Sequence, residues 1–123
     1  MRLTITGVEA GAIRDAIATW DAARRGALAA NVANSPTDRC AALDPQGRCL
    51  IYETRPMVCR SHGAPIRMTD RSLPVIDACF RNFTHTTPDP DCVIDQTTLS
   101  ALVLAVNGSD DTRVDLAELL ASC

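Results

Sequence analysis

Lysine is absent from this chain of 123 residues, and all twelve basic side chains are arginine. A G+C-rich coding sequence gives that bias without any functional cause. Aromatics are nearly as scarce: Trp20, Tyr52, Phe80 and Phe83 are the whole set. The core must therefore be built from Ala, Leu, Ile and Val. Fifteen acids bring the net charge to −3, and no basic run is interleaved with aromatics, so a nucleic-acid partner is not expected. Long apolar runs are missing as well. Nothing is long enough to cross a bilayer, so no membrane partner is expected. Met1-Arg-Leu-Thr-Ile-Thr6 is too short and too polar for the hydrophobic stretch of a secretory signal. The expected location is the cytoplasm, where thiols stay reduced and cysteines serve metals or redox chemistry more often than disulfides. The G-x-S-x-G, H-E-x-x-H and glycine-rich phosphate-loop motifs are also missing. Asp44 and Glu53 do not make a convincing acid–base pair. No catalytic residue is assigned, and a non-enzymatic role is preferred to that of an enzyme with an open metal site.

What is present points to a mainly α architecture, a small helical frame around an irregular cysteine-rich insert. The length suits a single domain over 1–123. Val8, Ile13, Ile17, Trp20, Ala23 and Ala27 recur at helical spacing, with Leu28 beside them, and predict one N-terminal helix over 7–33. Thr6 and Glu9 form a Thr-x-x-Glu capping box at its start. Prolines and glycines punctuate the region 34–92 and leave no room for long elements. A short strand at Cys49–Tyr52 gives one short hairpin, Pro56 opens a helical turn over 57–60, and a second short helix is expected over Val75–Phe83. Helices return over 95–121. Asp95 caps a segment whose apolar face is Leu99, Leu102, Val103 and Val106, and Gly108 closes it. Asp111 or Asp115 opens the terminal helix through Leu116, Leu119 and Leu120.

The cysteines carry the chemistry. Cys40, Cys49 and Cys59 fall within twenty residues and Cys79 follows, with intervals of eight, nine and nineteen residues. Four thiolates complete a tetrahedral shell. None of these intervals is the C-x2-C of a zinc knuckle, so spacing leaves rivals: four small buried hydrophobes, or a disulfide framework if the protein were exported, six being an even number. Cys92, in a proline-rich loop, is an alternative fourth ligand to Cys79, and His62 stands at an acceptable ligand spacing from Cys59. Cys123 at the chain end and His85 between threonines are left out. Residues 39–81 hold seven Arg against four acids, a local excess of +3 in a chain that is acidic elsewhere. Those arginines can offset the negative field of a thiolate site.

The run Gly47-Arg48-Cys49-Leu50-Ile51-Tyr52-Glu53-Thr54-Arg55-Pro56-Met57-Val58-Cys59-Arg60, with Cys40 upstream, resembles the signature of the YkgJ-type cysteine-cluster family, regarded as chelating zinc or iron. The resemblance covers roughly residues 40–82. It implies metal chelation by cysteine and no defined reaction. Many members carry a dense C-x2-C-x2-C-C cluster further upstream, whereas here no cysteine precedes Cys40. Cys40, Cys49, Cys59 and Cys79 then suit a single tetrahedral ion, Zn²⁺, with iron or a [2Fe–2S] cluster as the alternative. Arg48, Tyr52, Arg55 and Arg60 would pack around that site and neutralise it. The function expected is a small cytosolic zinc-binding protein acting as a structural or regulatory module toward another protein. The alternative is an iron–sulfur or mononuclear-iron redox protein, or an accessory to an oxidoreductase.

Overall fold

The computed structural model describes residues 1–108 and 110–123. In chain order the elements are β1 (Thr4–Thr6), α1 (Gly7–Ala18), α2 (Ala22–Asn34), α3 (Met57–Ser61), β2 (Ile66–Asp70), β3 (Leu73–Asp77), β4 (Ile94–Asp95), α4 (Gln96–Val106), β5 (Arg113–Asp115) and α5 (Leu116–Ala121). One-turn 3-10 helices lie at Tyr52–Thr54 and Pro90–Cys92. Helix accounts for 43% and strand for 16%, in two small sheets. The mainly α expectation is therefore corrected to a mixed α/β fold. The chain divides into two compact units, Met1–Pro56 with Asp110–Cys123, and Met57–Ser109.

In the first unit the capping box forms as the sequence predicts. Thr6 Oγ1 accepts from the Glu9 backbone N–H at 3.4 Å, and Glu9 Oε2 accepts from the Thr6 N–H at 2.8 Å. The long helix expected over 7–33 is broken, however. Asp21 adopts extended backbone and its carboxylate accepts from the Arg24 N–H at 2.7 Å, so it starts a new helix, α2, after α1 has ended. α1 buries Ala10, Ile13 and Ile17, while α2 buries only Leu28. β1 pairs antiparallel with β5, Ile5 opposite Val114. Asp115 then caps α5, accepting from the Ala117 and Glu118 N–H groups at 2.9 and 3.2 Å. Ile5, Ile13, Ile17, Ile51, Leu116, Leu119 and Leu120 are all fully buried, each stabilising by about 2 kcal/mol relative to exposure.

The second unit is built on a three-stranded sheet of order β3-β2-β4. β2 and β3 are antiparallel, with Met68 opposite Val75 and Thr69 opposite Pro74, and β2 and β4 are parallel, with Ile66 opposite Ile94. A hairpin thus occupies ground where a helix was expected from Val75 onward. Its two-residue loop, Arg71-Ser72, has φ of 47° and 67°, the mirror-image turn that matches strand twist. Pro74 is tolerated because β3 is an edge strand, where a missing N–H breaks no ladder bond. Asp95 caps α4, accepting from the Thr98 N–H at 2.9 Å, and Gly108 takes φ of 68° just past its end. α4 packs on β2, with Leu99 and Val103 only half-buried. Among the described residues every buried hydrophobic side chain other than proline belongs to the first unit.

Candidate metal centre

Cys40 and Cys49 stand at the two ends of a tight loop in the first unit. The Gly47 N–H donates to Asp44 O at 2.9 Å, closing a turn in which Gly47 takes φ of 81°. The Asp44 N–H donates to Arg48 O at 2.9 Å, Leu43 bridges to Cys49, and the Leu50 N–H donates to Ala42 O at 2.8 Å. In place of the expected strand at Cys49–Tyr52, the chain makes that single bridge and then a 3-10 turn. Asn31 of α2 holds the loop from below, its Nδ2 donating to Ala41 O at 2.9 Å and Leu43 O at 3.1 Å. Ala42 and Ile51 enter the hydrophobic core, with Cys40, Cys49 and Leu50 packed half-buried against it.

Asp44 organises the turn. It is 6% exposed, and its Oδ1 accepts from the Gln46 and Arg48 N–H groups at 2.9 Å each while its Oδ2 accepts from Arg48 Nε at 2.8 Å. The Arg48 backbone N–H, with its guanidinium and the Gln46 N–H in support, holds the carboxyl below its ordinary pKa against the opposing effect of desolvation. Arg39 also donates to the Asp44 carbonyl.

Burial pushes the Cys49 thiol above its ordinary pKa, and the neighbouring Cys40 pushes the same way. Two groups oppose them: the Ile51 backbone N–H, bonded to the sulfur, and the Arg55 charge. The Arg55 guanidinium lies 3.6 Å from the Tyr52 ring centroid, and its Nε donates to Tyr52 O at 2.9 Å. Among the residues expected to neutralise the site, Arg55 thus acts on Cys49 directly, Tyr52 carries Arg55, and Arg48 is paired with Asp44.

The second unit holds Cys59 on α3, with Arg60 beside it, and Cys79 two residues past β3. Both thiols are half-buried. Gly63, with φ of 88°, turns the chain after α3. Asn82 ties the two regions together: its N–H donates to Cys79 O at 2.8 Å and its Nδ2 to Gly63 O at 2.6 Å. No sequence motif flags Asn82. A cleft of about 290 Å³ is lined by Cys79, His62 and Asp77 together with Val58, Ile66 and Met68. Cys92 and Cys123 are exposed.

All six cysteines are thiols, none in a disulfide. Within neither unit do three or more His, Cys, Asp or Glu side chains gather closely enough among the described residues to hold a metal ion. The first unit does bring two thiols, Cys40 and Cys49, to one place. Soft sulfur donors, half-buried and with a backbone N–H on one sulfur, fit zinc or iron in kind.

The chain is a small mixed α/β fold whose half-buried thiols are the donor type that chelates soft metal ions. The CxxCxxCC family, described as "Putative zinc- or iron-chelating domain", matches residues 8–92, and the chain belongs to that family. No curated protein and no solved structure gives a significant match. The matched segment contains five of the six cysteines, none of them in a C-x2-C pair. Among the described residues no helix is long and apolar enough to cross a membrane.

Proposed function

We propose that the chain chelates one zinc ion through Cys40, Cys49, Cys59 and Cys79 and serves, in the reducing cytoplasm, as a structural or regulatory module for a partner protein. The observation that supports it most is the Cys40–Cys49 loop. Two thiols sit together at the edge of the core, and the Ile51 N–H is bonded to the Cys49 sulfur. A sulfur must lose its proton to bind a metal. Burial, with Cys40 pushing the same way, disfavours the Cys49 thiolate, and a bound divalent cation would supply the positive charge that the site itself provides only in part. Zinc is preferred to iron because four thiolates satisfy it with no redox requirement, and a closed four-sulfur shell leaves no position for water or substrate.

The test is element analysis, with an absorption spectrum, of protein purified anaerobically without added metal. About one zinc per chain is expected, in a colourless sample. Replacing Cys40, Cys49, Cys59 or Cys79 singly by Ser should remove the metal and lower the melting temperature, while Cys92→Ser and Cys123→Ser should leave both unchanged. Iron with acid-labile sulfide would instead favour the redox reading. Metal-free protein with paired thiols would refute chelation.

A further inference from the structure

The loop between Cys40 and Cys49 offers a ligand sulfur and little else. Its leading strand has no carbonyl to spare: Cys40 O accepts from the Leu43 N–H, Ala42 O from the Leu50 N–H, Ala41 O and Leu43 O from Asn31 Nδ2, and Asp44 O from the Gly47 N–H. The Asp44 carboxylate is taken up by the Gln46 and Arg48 N–H groups and by Arg48 Nε. Among the described residues no third His, Cys, Asp or Glu side chain joins the two thiols closely enough to hold an ion with them. By itself such a pair cannot fill the four-coordinate shell that zinc takes in structural sites. It does match the soft monovalent cations with a filled d shell, which are content with two sulfurs in a line, and Cu(I) is the biological member of that class.

Burial and charge favour the same ion. Both sulfurs are half-buried against the core that holds Ala42 and Ile51. Ion desolvation rises with the square of the charge, so a monovalent cation enters this apolar setting with less loss than a dication. On binding, both S–H protons leave and two Cu–S bonds form, so the S–Cu–S group carries one net negative charge. The Arg55 charge that acts on Cys49, and the Ile51 N–H bonded to its sulfur, offset that charge. The loop is also preformed. Asn31 of α2 and the Asp44 turn fix it before any ion arrives, which removes ordering cost from binding. We propose that Cys40 and Cys49 form a two-coordinate Cu(I) site within the first unit alone. The thiols of the second unit take no part in it, so the site stands or falls apart from the four-sulfur zinc shell, with which it would compete for these two sulfurs.

The test is anaerobic competition for Cu(I) between the full chain and bathocuproine disulfonate, read from the absorbance of the coloured chelator complex. Its main arm is the fourfold variant Cys59→Ser/Cys79→Ser/Cys92→Ser/Cys123→Ser, which keeps only the loop thiols and leaves the hydrophobic core of the first unit untouched. Wild type and this variant are each expected to withhold about one Cu(I) per chain. Adding Cys40→Ser or Cys49→Ser to the variant should weaken that binding at least about 100-fold, beyond what loss of an outer-shell partner typically costs. X-ray absorption at the copper edge of the fourfold variant should show two sulfur neighbours and no nitrogen or oxygen, which keeps the test valid if a serine in the loop disturbs its fold. The zinc reading expects this same variant to be zinc-free when purified without added metal, so the two readings fail separately. Failure of the fourfold variant to withhold Cu(I), retention of Cu(I) without Cys40 or Cys49, or a copper shell of three or four sulfurs would overturn the proposal.

Discussion

Ile51→Ala probes the link between the hydrophobic core and the cysteine loop. Ile51 is 1% exposed, lies two residues past Cys49, and shares the core with Ala42 at the other side of the loop. Truncation removes three carbon groups, or about 2.4 kcal/mol of transfer free energy at about 0.8 kcal/mol each. Incomplete collapse of the void adds about 1 kcal/mol more, for a total of about 3–4 kcal/mol, inside the range seen for such substitutions. That is a large share of the 5–15 kcal/mol typical of a whole domain. With a urea slope of about 1–2 kcal/mol/M, the unfolding midpoint should fall by about 1.5–4 M. The assay is urea unfolding followed by far-UV circular dichroism and by Trp20 fluorescence, in chelator so that metal does not contribute. Because the Ile51 N–H survives the substitution, any loss of zinc retention reflects a loosened loop and not a lost bond to sulfur. A midpoint shift below about 0.3 M would refute the reasoning, since Ile51 would then not anchor the loop in the core.

Two further substitutions test the loop itself. Gly47 takes φ of 81°, and a methyl group added at its Cα would meet nothing within 4 Å. Gly47→Ala should therefore cost about 1–2 kcal/mol from backbone conformation alone, and Gly47→Asn distinctly less, since asparagine visits the left-handed region. Equal costs in urea unfolding would contradict that origin. Asp44 has a folded pKa below its ordinary value of about 4. Its contribution to stability is therefore complete above that pH and is lost as pH falls through the lower, folded value. Asp44→Asn should lower the unfolding midpoint at pH 7 and flatten its decline as pH falls below about 4, read in chelator. Identical acid limbs in the two proteins would exclude Asp44 as the source.

Local chemistry is readable from sequence wherever a side chain bonds a backbone group a few residues away. The Thr6–Glu9 box, the Asp95 and Asp115 caps, Gly108 and the Pro45–Gly47 turn between Cys40 and Cys49 all appear as the residues imply. Asp21 is harder to see as a cap because the alanine-rich sequence on either side reads as uninterrupted helix, so periodicity outweighs the capping chemistry. The strands are hidden for other reasons. Thr4–Thr6 is too short to show alternation, and its partner Arg113–Asp115 lies more than a hundred residues away. In the β2–β3 hairpin, Pro74 argues against a strand unless the strand is known to lie at an edge, and Arg71-Ser72 lacks the asparagine or glycine that usually announces such a turn. At the candidate centre, spacing indicates that Cys40 and Cys49 come together. It carries no signal for Asn82 or for the cleft that His62 shares with Cys79, because both depend on how distant segments of the second unit meet.

The pairing of β1 with β5 makes the first unit discontinuous, with the second unit spliced into it as a long excursion. During synthesis, Ile5, Ile13 and Ile17 must wait for Leu116, Leu119 and Leu120 before their common core can close. While the intervening stretch of about 50 residues is disordered, bringing Pro56 and Asp110 into place carries a loop-closure cost of about 3–4 kcal/mol. Any event that orders the excursion, such as the binding of an ion, shrinks that entropic cost. The two halves of the molecule can thus be coupled through chain connectivity alone, and a ligand held by one would register in the melting of the other.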